Sequence, residues 1–168
     1  MKHILITGGS SGIGLAIAKK LMEEGNRKVI SLSRSQEKIE RALFTHPEME
    51  GEVDFITGDV SKAGDCQKVA GYLKDRYGKL DGLVNNAGML TAGGIHDIDY
   101  ELWKANLDIN LNAPYLLTQM MLPLLKASGN ASVVNISSVA SRIPGRSIAY
   151  SVSKAGLDMI TEFLAGEL

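Results

Sequence analysis

A glycine-rich turn near the start of the chain places the tightest constraint on the fold. Its spacing, G-x-x-x-G-x-G, follows the apolar run Ile4–Ile6 and precedes an amphipathic helical pattern. Glycines permit a sharp strand-to-helix turn and a close approach of a bound group, because no Cβ stands in the way. The unpaired N–H groups and the dipole at the helix start attract an anion, which favours a phosphate-binding turn over a merely tight connection. The turn comprises Thr7, Gly8, Gly9, Ser10, Ser11, Gly12, Ile13 and Gly14.

The rest of the chain repeats the order of short apolar strand and helical stretch. This alternation is typical of βα units and predicts a doubly wound α/β fold, with helices on both faces of a parallel sheet. We expect five strands in the order 3-2-1-4-5. The strands are expected at about 4–6, 28–32, 53–57, 80–85 and 132–136, and the helices at about 13–24, 36–44, 62–77, 100–126 and 150–168. In the first helix, Ile13, Ile17 and Leu21 are predicted to lie on one face.

Composition limits the classes of protein that the chain can be. Its 168 residues, 45% hydrophobic and 22% charged, fit one globular domain. The net charge of −1 gives no reason to expect nucleic acid or an anionic membrane surface as a partner. The sequence has no bilayer-spanning apolar run and no signal-peptide character, so we expect a cytoplasmic protein. The single cysteine, Cys66, lies on the apolar side of a helical pattern and is expected to be buried.

A tyrosine and a lysine in the last helical pattern form a candidate catalytic pair. Tyr150 and Lys154 are four residues apart, so they share one helix face. A phenol is ordinarily a poor acid–base group at neutral pH, but a neighbouring ammonium favours its phenolate form. In isolation, such a pair is more often a half-buried tyrosine beside a solvated lysine. The interpretation as a catalytic pair therefore depends on other residues.

Three further features favour chemistry at the carboxyl edge of the sheet. Ser137-Ser138 follow the fifth strand, and Asn85-Asn86-Ala87-Gly88 follow the fourth, where α/β sheets bind ligands. In the long helix, Pro114 lies four residues after Asn110 and has no N–H for the residue-110 carbonyl. Asn110 is therefore expected to keep a free backbone oxygen, which either accompanies a bend or holds a water in a proton path.

Together, these residues resemble the motif set of short-chain dehydrogenases/reductases. The motifs stand in the family's order and extend over the whole chain. The resemblance implies a Rossmann-type domain that transfers hydride between a nicotinamide cofactor and an alcohol or carbonyl. By this resemblance, Tyr150 is the general acid/base, and Lys154 holds the nicotinamide ribose and favours the phenolate. Ser138 would hydrogen-bond the substrate oxygen, and Asn110 would support a water relay to Lys154.

The spacing of the catalytic serine departs from the family pattern. Ser138 lies twelve residues before Tyr150, whereas family members commonly have thirteen, the spacing of Ser137. The following Val139-Ala140 matches the family context for Ser138. We therefore interpret the difference as a one-residue deletion in the loop and keep Ser138, with Ser137 as the fallback.

The end of the second strand bears on the choice of cofactor. NAD enzymes tend to have an acidic residue there, whereas this chain has Ser33-Arg34, and a guanidinium suits a 2′-phosphate. We therefore favour NADP(H), with NAD(H) as the alternative. Asp59-Val60 resembles the adenine-contact position, although Asp59 also fits a turn or a helix cap. The expected cofactor-binding residues are Thr7, Gly8, Ser10, Ser11, Gly12, Ile13, Gly14, Arg34, Asp59, Val60, Asn86, Ala87, Gly88, Tyr150 and Lys154.

The partners expected are a small alcohol or carbonyl substrate and a second copy of the chain. The resemblance implies a homodimer or homotetramer through the last two helices, and the wide apolar surface around Met120 and Met121 agrees with this. The three histidines lack the spacing of metal ligands, so no metal is expected.

The resemblance also implies elements beyond the last helix, so we expect the single nucleotide-binding domain over 1–168 to be truncated at its C-terminal end. It would then be a fragment, a natural short form or a chain completed by a partner. The favoured function is an NADP-dependent oxidoreductase. The alternative is a nucleotide-binding or assembly protein, or an inactive fragment, that binds NAD(P) without turnover. An epimerase or dehydratase is less favoured, because those relatives space the glycine turn differently.

Overall fold

Five parallel strands form the centre of the molecule in a computed structural model that describes residues 1–167. The strands are β1 (Lys2–Thr7), β2 (Arg27–Ser33), β3 (Val53–Thr57), β4 (Gly82–Asn85) and β5 (Ser132–Asn135). Their order in the sheet is β3-β2-β1-β4-β5, which confirms the predicted order. At the centre, Leu5 pairs with Ile30 on one side and Leu83 on the other, and all three side chains are fully buried.

Six α-helices among the described residues connect and cover the strands. They are α1 (Gly12–Glu23), α2 (Gln36–Thr45), α3 (Ala63–Tyr77), α4 (Tyr100–Leu107), α5 (Ala113–Ser128) and α6 (Ile148–Glu167). Short 3₁₀ turns lie at Pro47–Met49 and Val139–Ser141. None of the helices within residues 1–167 combines the length and the apolar character needed to cross a bilayer.

The predicted long helix over 100–126 is interrupted. A π-helical segment, Asp108–Asn112, separates α4 from α5. Pro114 explains the interruption, because it has no N–H to donate to the carbonyl four residues back. The Ala113 N–H donates to the Asp108 carbonyl, five residues back, so the turn widens. Asn110 lies inside this segment and is fully buried.

Two apolar cores lie on the two faces of the sheet. On one face, Leu73 of α3 and Leu117 of α5 pack with Leu5, and the buried thiol of Cys66 belongs to this core, as predicted. On the other face, Ala18 of α1 packs with Ile6 and Val29 of the sheet.

The three apolar residues predicted to share one face of α1 differ in burial. Ile17 and Leu21 pack against the core, but Ile13 is 64% exposed. Ile13 belongs to the first turn of α1, where the helix leaves the glycine turn. This placement leaves the side chain free at the carboxyl edge of the sheet.

Candidate active site

A cleft of about 450 Å³ opens at the carboxyl edge of the sheet, where β1, β2, β3 and β4 end. Nine of the residues expected to bind a cofactor line it: Gly8, Ser10, Ser11, Arg34, Asp59, Val60, Asn86, Ala87 and Gly88. The remaining lining residues are Leu32, Ser33, Ser35, Lys38, Gly58, Met89 and Ile109. Thr7, Gly12, Ile13, Gly14, Tyr150 and Lys154 are not among the residues that line it. The cleft therefore joins five parts of the chain, around residues 8–11, 32–38, 58–60, 86–89 and Ile109.

The glycine turn has a shape that larger residues would destroy. Gly8 has a φ of +71°, which only glycine adopts readily. At Gly14, a Cβ would overlap the Gly8 carbonyl oxygen and the Asn86 amide nitrogen. At Gly9, a Cβ would lie 2.6 Å from Ser31 Oγ. The glycines therefore create the space between the turn, β2 and the end of β4.

Thr7 and Asn86 join the glycine turn to the end of β4. Thr7 Oγ1 accepts hydrogen bonds from the backbone N–H groups of Asn86, at 3.0 Å, and Ala87, at 2.9 Å. Asn86 Nδ2 donates to the Thr7 carbonyl at 2.9 Å and to the Gly8 carbonyl at 3.3 Å. Thr7 itself is 3% exposed, so its role in the site is to hold the wall of the cleft.

A basic region lies where β2 meets α2. Arg34 and Lys38 line the same cleft, together with Ser33 and Ser35. Ser35 caps α2 by accepting a hydrogen bond from the Lys38 backbone N–H at 3.2 Å. Two cations at a helix start, among hydroxyl groups, form an environment suited to a phosphate group.

Asp59 takes the turn role that was the alternative to adenine contact, and it also lines the cleft. Its Oδ1 accepts from the Ser61 N–H at 3.0 Å and from the Ser61 hydroxyl at 2.7 Å. Its own backbone N–H donates to Asp65 Oδ2 at 3.0 Å. These bonds hold Asp59 and Val60 at the cleft opposite the glycine turn.

The Asn110 side chain joins the loop after β4 to α6. Its amide makes a pair of hydrogen bonds with the Met89 backbone, accepting from the N–H at 2.9 Å and donating to the carbonyl at 2.8 Å. It also donates to Ser153 Oγ at 3.2 Å, and Ser153 Oγ donates to the Tyr150 carbonyl at 2.7 Å. Asn110 therefore fixes the position of the cleft wall relative to the start of α6.

The start of α6 is firmly held. Ser147 is 2% exposed, and its Oγ accepts a hydrogen bond from the Tyr150 N–H at 3.2 Å. Next to this cap, Gly93 and Ser147 form a parallel β-bridge. At the bridge, the Ile148 N–H donates a hydrogen bond to the Gly93 carbonyl at 3.0 Å. Tyr150 is thus presented from a capped and anchored first turn.

Lys154 lies behind the wall of the cleft, next to Tyr150. Its ammonium is 5.6 Å from the centre of the Tyr150 ring and donates to the Ile136 carbonyl at 2.7 Å. A Cβ at Gly88 would lie 3.2 Å from Asn110 Oδ1 and 4.0 Å from Lys154 Nζ. The side chain is only 4% exposed, and this burial lowers the pKa of Lys154, although the charge of Asp158 partly opposes the change.

The two candidate serines have different surroundings. Ser138 begins the 3₁₀ turn after β5, and its Oγ accepts from the Ala140 N–H at 3.2 Å. That contact leaves the hydroxyl hydrogen of Ser138 available to a substrate oxygen. Ser137 Oγ is buried, makes no hydrogen bond of good geometry within residues 1–167 and lies near Asp158 of α6.

Comparison with known proteins identifies the family. The sequence pattern described as short chain dehydrogenase matches residues 2–168. The chain belongs to the short-chain dehydrogenase/reductase family. Dehydrogenase/reductase SDR family member 4 of Homo sapiens is 37% identical over 172 residues, which cover 99% of this chain and 60% of that protein.

Two solved structures have the same fold. A variant of actinorhodin polyketide ketoreductase, crystallised with NADPH, matches at 32% identity and a TM-score of 0.91, covering 99% of this chain and 64% of that one. A metagenomic short-chain oxidoreductase in complex with NADP matches at 34% identity and a TM-score of 0.91, covering 99% of this chain and 75% of that one. The chain spans 60–65% of the length of the curated relatives it matches.

Lys38 is the charged residue of the cleft that sequence reasoning missed. It lines the cleft with Arg34, although it stands four residues further on and inside α2. Its position in the first turn of the helix after β2 could have suggested it, since Ser35 is a typical helix cap. The basic region of this short-chain dehydrogenase/reductase therefore has two cations where the sequence analysis named one.

Proposed function

We propose that the protein is an NADP-dependent oxidoreductase that interconverts an alcohol and a carbonyl, with Tyr150 as the general acid/base. The observation that carries the proposal is the placement of the Lys154 ammonium. It lies 5.6 Å from the centre of the Tyr150 ring and directly behind Gly88, which lines the cleft. A buried cation in this position joins the proton-transfer group to the cofactor cleft. Family membership supports the same reaction class.

The cleft fits a nicotinamide dinucleotide. The glycine turn offers the start of α1 to a pyrophosphate, and the space that a Cβ at Gly14 would fill allows the close approach. Asp59 and Val60 would border the adenine, and Gly88 would border the nicotinamide end. The other turn residues expected to take part are Thr7, Gly8, Ser10, Ser11, Gly12 and Ile13. When bound, the cofactor supplies or accepts the hydride.

NADP(H) is favoured over NAD(H) by the basic region. Arg34 and Lys38 both line the cleft, and neither has a carboxylate partner among the ion pairs within residues 1–167. A 2′-phosphate would satisfy these charges, whereas a 2′-hydroxyl would not. The related structures crystallised with NADP or NADPH agree with this preference.

Side chains of the protein would carry out proton transfer and hold the substrate oxygen. Tyr150 would give a proton to the carbonyl oxygen during reduction and take it back during oxidation. Ser138 would donate a hydrogen bond to the same oxygen. Lys154 would keep a positive charge beside the phenol, and we propose that Asn110 supports the path by which water returns the proton to Lys154.

Ser138 is preferred to Ser137 because of where each hydroxyl lies. Ser137 Oγ faces Asp158, which stands eight residues after Tyr150 on α6. Ser137 Oγ is buried, whereas Ser138 Oγ accepts from the Ala140 N–H and keeps its own hydrogen for a substrate oxygen.

The substitution Tyr150→Phe tests the proposed role of Tyr150 as general acid/base. NADPH oxidation should be followed against a panel of carbonyl compounds, with cofactor affinity measured in parallel by calorimetry. The proposal predicts turnover that falls by at least about 100-fold in Tyr150→Phe, the range of a general acid–base group, with little change in NADPH affinity. Turnover that survives the substitution would contradict the role of Tyr150.

Binding without turnover is the second candidate function. It is favoured by the lining of the cleft, which includes nine of the residues expected to bind the cofactor but not Tyr150. NADPH binding by a wild-type chain that reduces none of the carbonyls tested would support this alternative.

We also propose self-association through α5 and α6. Tyr115 of α5 and Met159 and Phe163 of α6 are 53%, 53% and 67% exposed, which is unusual for large apolar side chains on helices that cover a core. Light scattering should show a dimer or tetramer, and Phe163→Asp should shift it toward the monomer. A wild-type monomer would contradict this proposal without affecting the chemistry.

A further inference from the structure

A carboxylate on α6 lies next to the candidate catalytic groups but has no part in the reaction proposed above. Asp158 follows Lys154 by four residues, so the two side chains share one face of the helix. The Asp158 side chain is only 25% exposed, and its Oδ2 lies 3.7 Å from Arg142 Nε. The hydroxyls of Ser137 and Ser141 beside it, together with Arg142, hold the pKa of Asp158 below its ordinary value.

These contacts connect α6 with the segment that carries Ser138. We call residues 137–142 the serine turn. Within it, the Ser141 hydroxyl donates to the Ser138 carbonyl at 2.8 Å, and Ser138 Oγ accepts from the Ala140 N–H at 3.2 Å. The serine turn is therefore tied internally, and Arg142 at its end contacts Asp158 of α6.

The charge of Asp158 also acts on Lys154. Burial and the Asp158 charge are the two effects that move the pKa of Lys154, and they act in opposite directions. The other ionisable groups near this pair are Tyr150, whose ring lies 5.6 Å from Lys154 Nζ, and Arg142. Arg142 is 76% exposed at its side chain, so water screens its charge more than that of the partly buried aspartate.

We propose that Asp158 is a positioning residue for the Tyr150–Lys154 site. Its carboxylate anchors the serine turn to α6 and places a negative charge one helical turn from the Lys154 ammonium. The first action holds the end of the serine turn on α6. The second keeps Lys154 protonated although it is buried. The catalytic part of this role rests on the function proposed above, but the anchoring and the effect on Lys154 do not.

Asp158→Asn tests the charge, because asparagine keeps the size and one acceptor oxygen. Glu162→Gln is the matched control, since it removes the same charge from an exposed position one turn further along α6. The Lys154 ammonium should be titrated by NMR with lysine labelled at the terminal carbon. We expect the pKa of Lys154 to fall by roughly 0.5 to 1 in Asp158→Asn, as for loss of one nearby opposite charge at a partly exposed site, and to stay constant in Glu162→Gln.

Trypsin provides an independent readout of the anchoring. Arg142 lies in the serine turn and is a cleavage site, so a released turn should be cut faster. We expect cleavage after Arg142 to accelerate at least about threefold in Asp158→Asn, with Asp158→Glu restoring part of the protection and Glu162→Gln behaving as wild type. If Asp158→Asn leaves both the Lys154 titration and the cleavage rate unchanged, the proposal is overturned.

Turnover separates this proposal from the proposed function. In an active protein, the alkaline limb of the kcat/KM profile should move to lower pH in Asp158→Asn but not in Glu162→Gln. An active protein whose profile does not move would overturn the catalytic part of the proposal. A wild-type protein without turnover, in which the Lys154 titration and the cleavage rate still respond, would contradict the enzymatic function and support the positioning role.

Discussion

Polar groups are paired at the amino edge of the sheet, where the strands begin, and surround a cleft at the carboxyl edge, where the strands end. At the amino edge, Asp81 accepts hydrogen bonds from the His3 N–H at 2.8 Å, Lys79 at 3.0 Å and Ser128 at 2.7 Å. At the carboxyl edge, the turn after β1 and the basic region after β2 instead surround a cleft of about 450 Å³. Paired groups stabilise the fold but have little left to offer a ligand, whereas the groups around the cleft keep donors and charge for one.

Asp54 extends the contrast along the amino edge. It accepts hydrogen bonds from the hydroxyl groups of Tyr72, at 2.9 Å, and Tyr77, and it pairs with Lys28 at 2.8 Å. The Tyr77 ring stacks on His3, with ring centres 4.5 Å apart. Substitutions at this edge should therefore change stability, and those at the carboxyl edge should change binding.

The largest effect is expected at Gly14. In Gly14→Ala, the new Cβ would overlap the Gly8 carbonyl and the Asn86 amide, so the turn must open. We expect NADPH affinity to fall by at least about 100-fold and the protein to lose about 3 kcal/mol of stability, typical of overpacking against backbone. Calorimetry and urea unfolding measure the two effects.

The control is Gly71→Ala in α3. Nothing lies within 4 Å of a Cβ there, so this change should leave NADPH binding intact and stabilise the helix slightly. Equal NADPH affinity in Gly14→Ala and Gly71→Ala would show that NADPH does not bind at the glycine turn.

The next effect is on stability alone, at Asp81. Burial would raise the pKa of Asp81, but hydrogen bonds from Ser128, the His3 N–H and Lys79 outweigh it and lower the pKa to about 2. Because the folded pKa lies below the unfolded value of 3.8, this stabilisation is present above about pH 4 and is lost as the pH falls toward 2. We expect Asp81→Asn to cost about 2 kcal/mol at neutral pH, without a change in NADPH affinity.

Urea unfolding at several pH values measures this difference. The gap between wild type and Asp81→Asn should close as the pH falls from about 4 to about 2. Asp75→Asn, at an exposed position of α3, is the control. A gap that is independent of pH would mean that the carboxylate is not the source of the stabilisation.

A smaller, selective effect is expected at Arg34. Arg34→Ala should weaken NADPH binding by about tenfold, the loss of one charge-assisted contact, and leave NADH binding nearly unchanged. Arg41 is an exposed residue of α2 outside the cleft, so Arg41→Ala should change neither NADPH binding nor NADH binding. Equal losses for the two cofactors would contradict a 2′-phosphate contact.

The smallest effect is expected at Tyr77. Tyr77→Phe removes one hydrogen bond to Asp54, whose other partners remain, so about 1 kcal/mol of stability should be lost. NADPH affinity should not change. Tyr115→Phe, at an exposed position of α5, controls for loss of a hydroxyl. A change in binding without a change in stability would reverse the assignment of the two edges.

The sequence predicted the carboxyl edge better than the amino edge. The apolar run Ile4–Ile6 of β1 is recognisable without neighbours, and the βα alternation predicts a parallel sheet. The glycine turn and the Tyr150/Lys154 spacing are local patterns, so they were visible as well. The partners of Asp54 and Asp81 are side chains distant in sequence, and no local pattern indicates them.

Two features of the site depend on packing that the sequence does not display. The π-helical segment follows from Pro114, but its width also suits α6, where a Cβ at Gly156 would lie 2.9 Å from Leu111. Lys38 faces the cleft because burial of Ile39 and Ala42 fixes the rotation of α2. Both depend on how a helix rests on its neighbours.

Hydrogen exchange with and without NADPH tests the central claim most directly, because it reports where in the sheet the ligand acts. We expect added protection at the carboxyl edge, in residues 8–15, 33–39, 59–61 and 86–89. We expect no change at the amino edge, around His3, Asp54 and Asp81. Protection confined to the amino edge, or no protection at saturating NADPH, would contradict this claim.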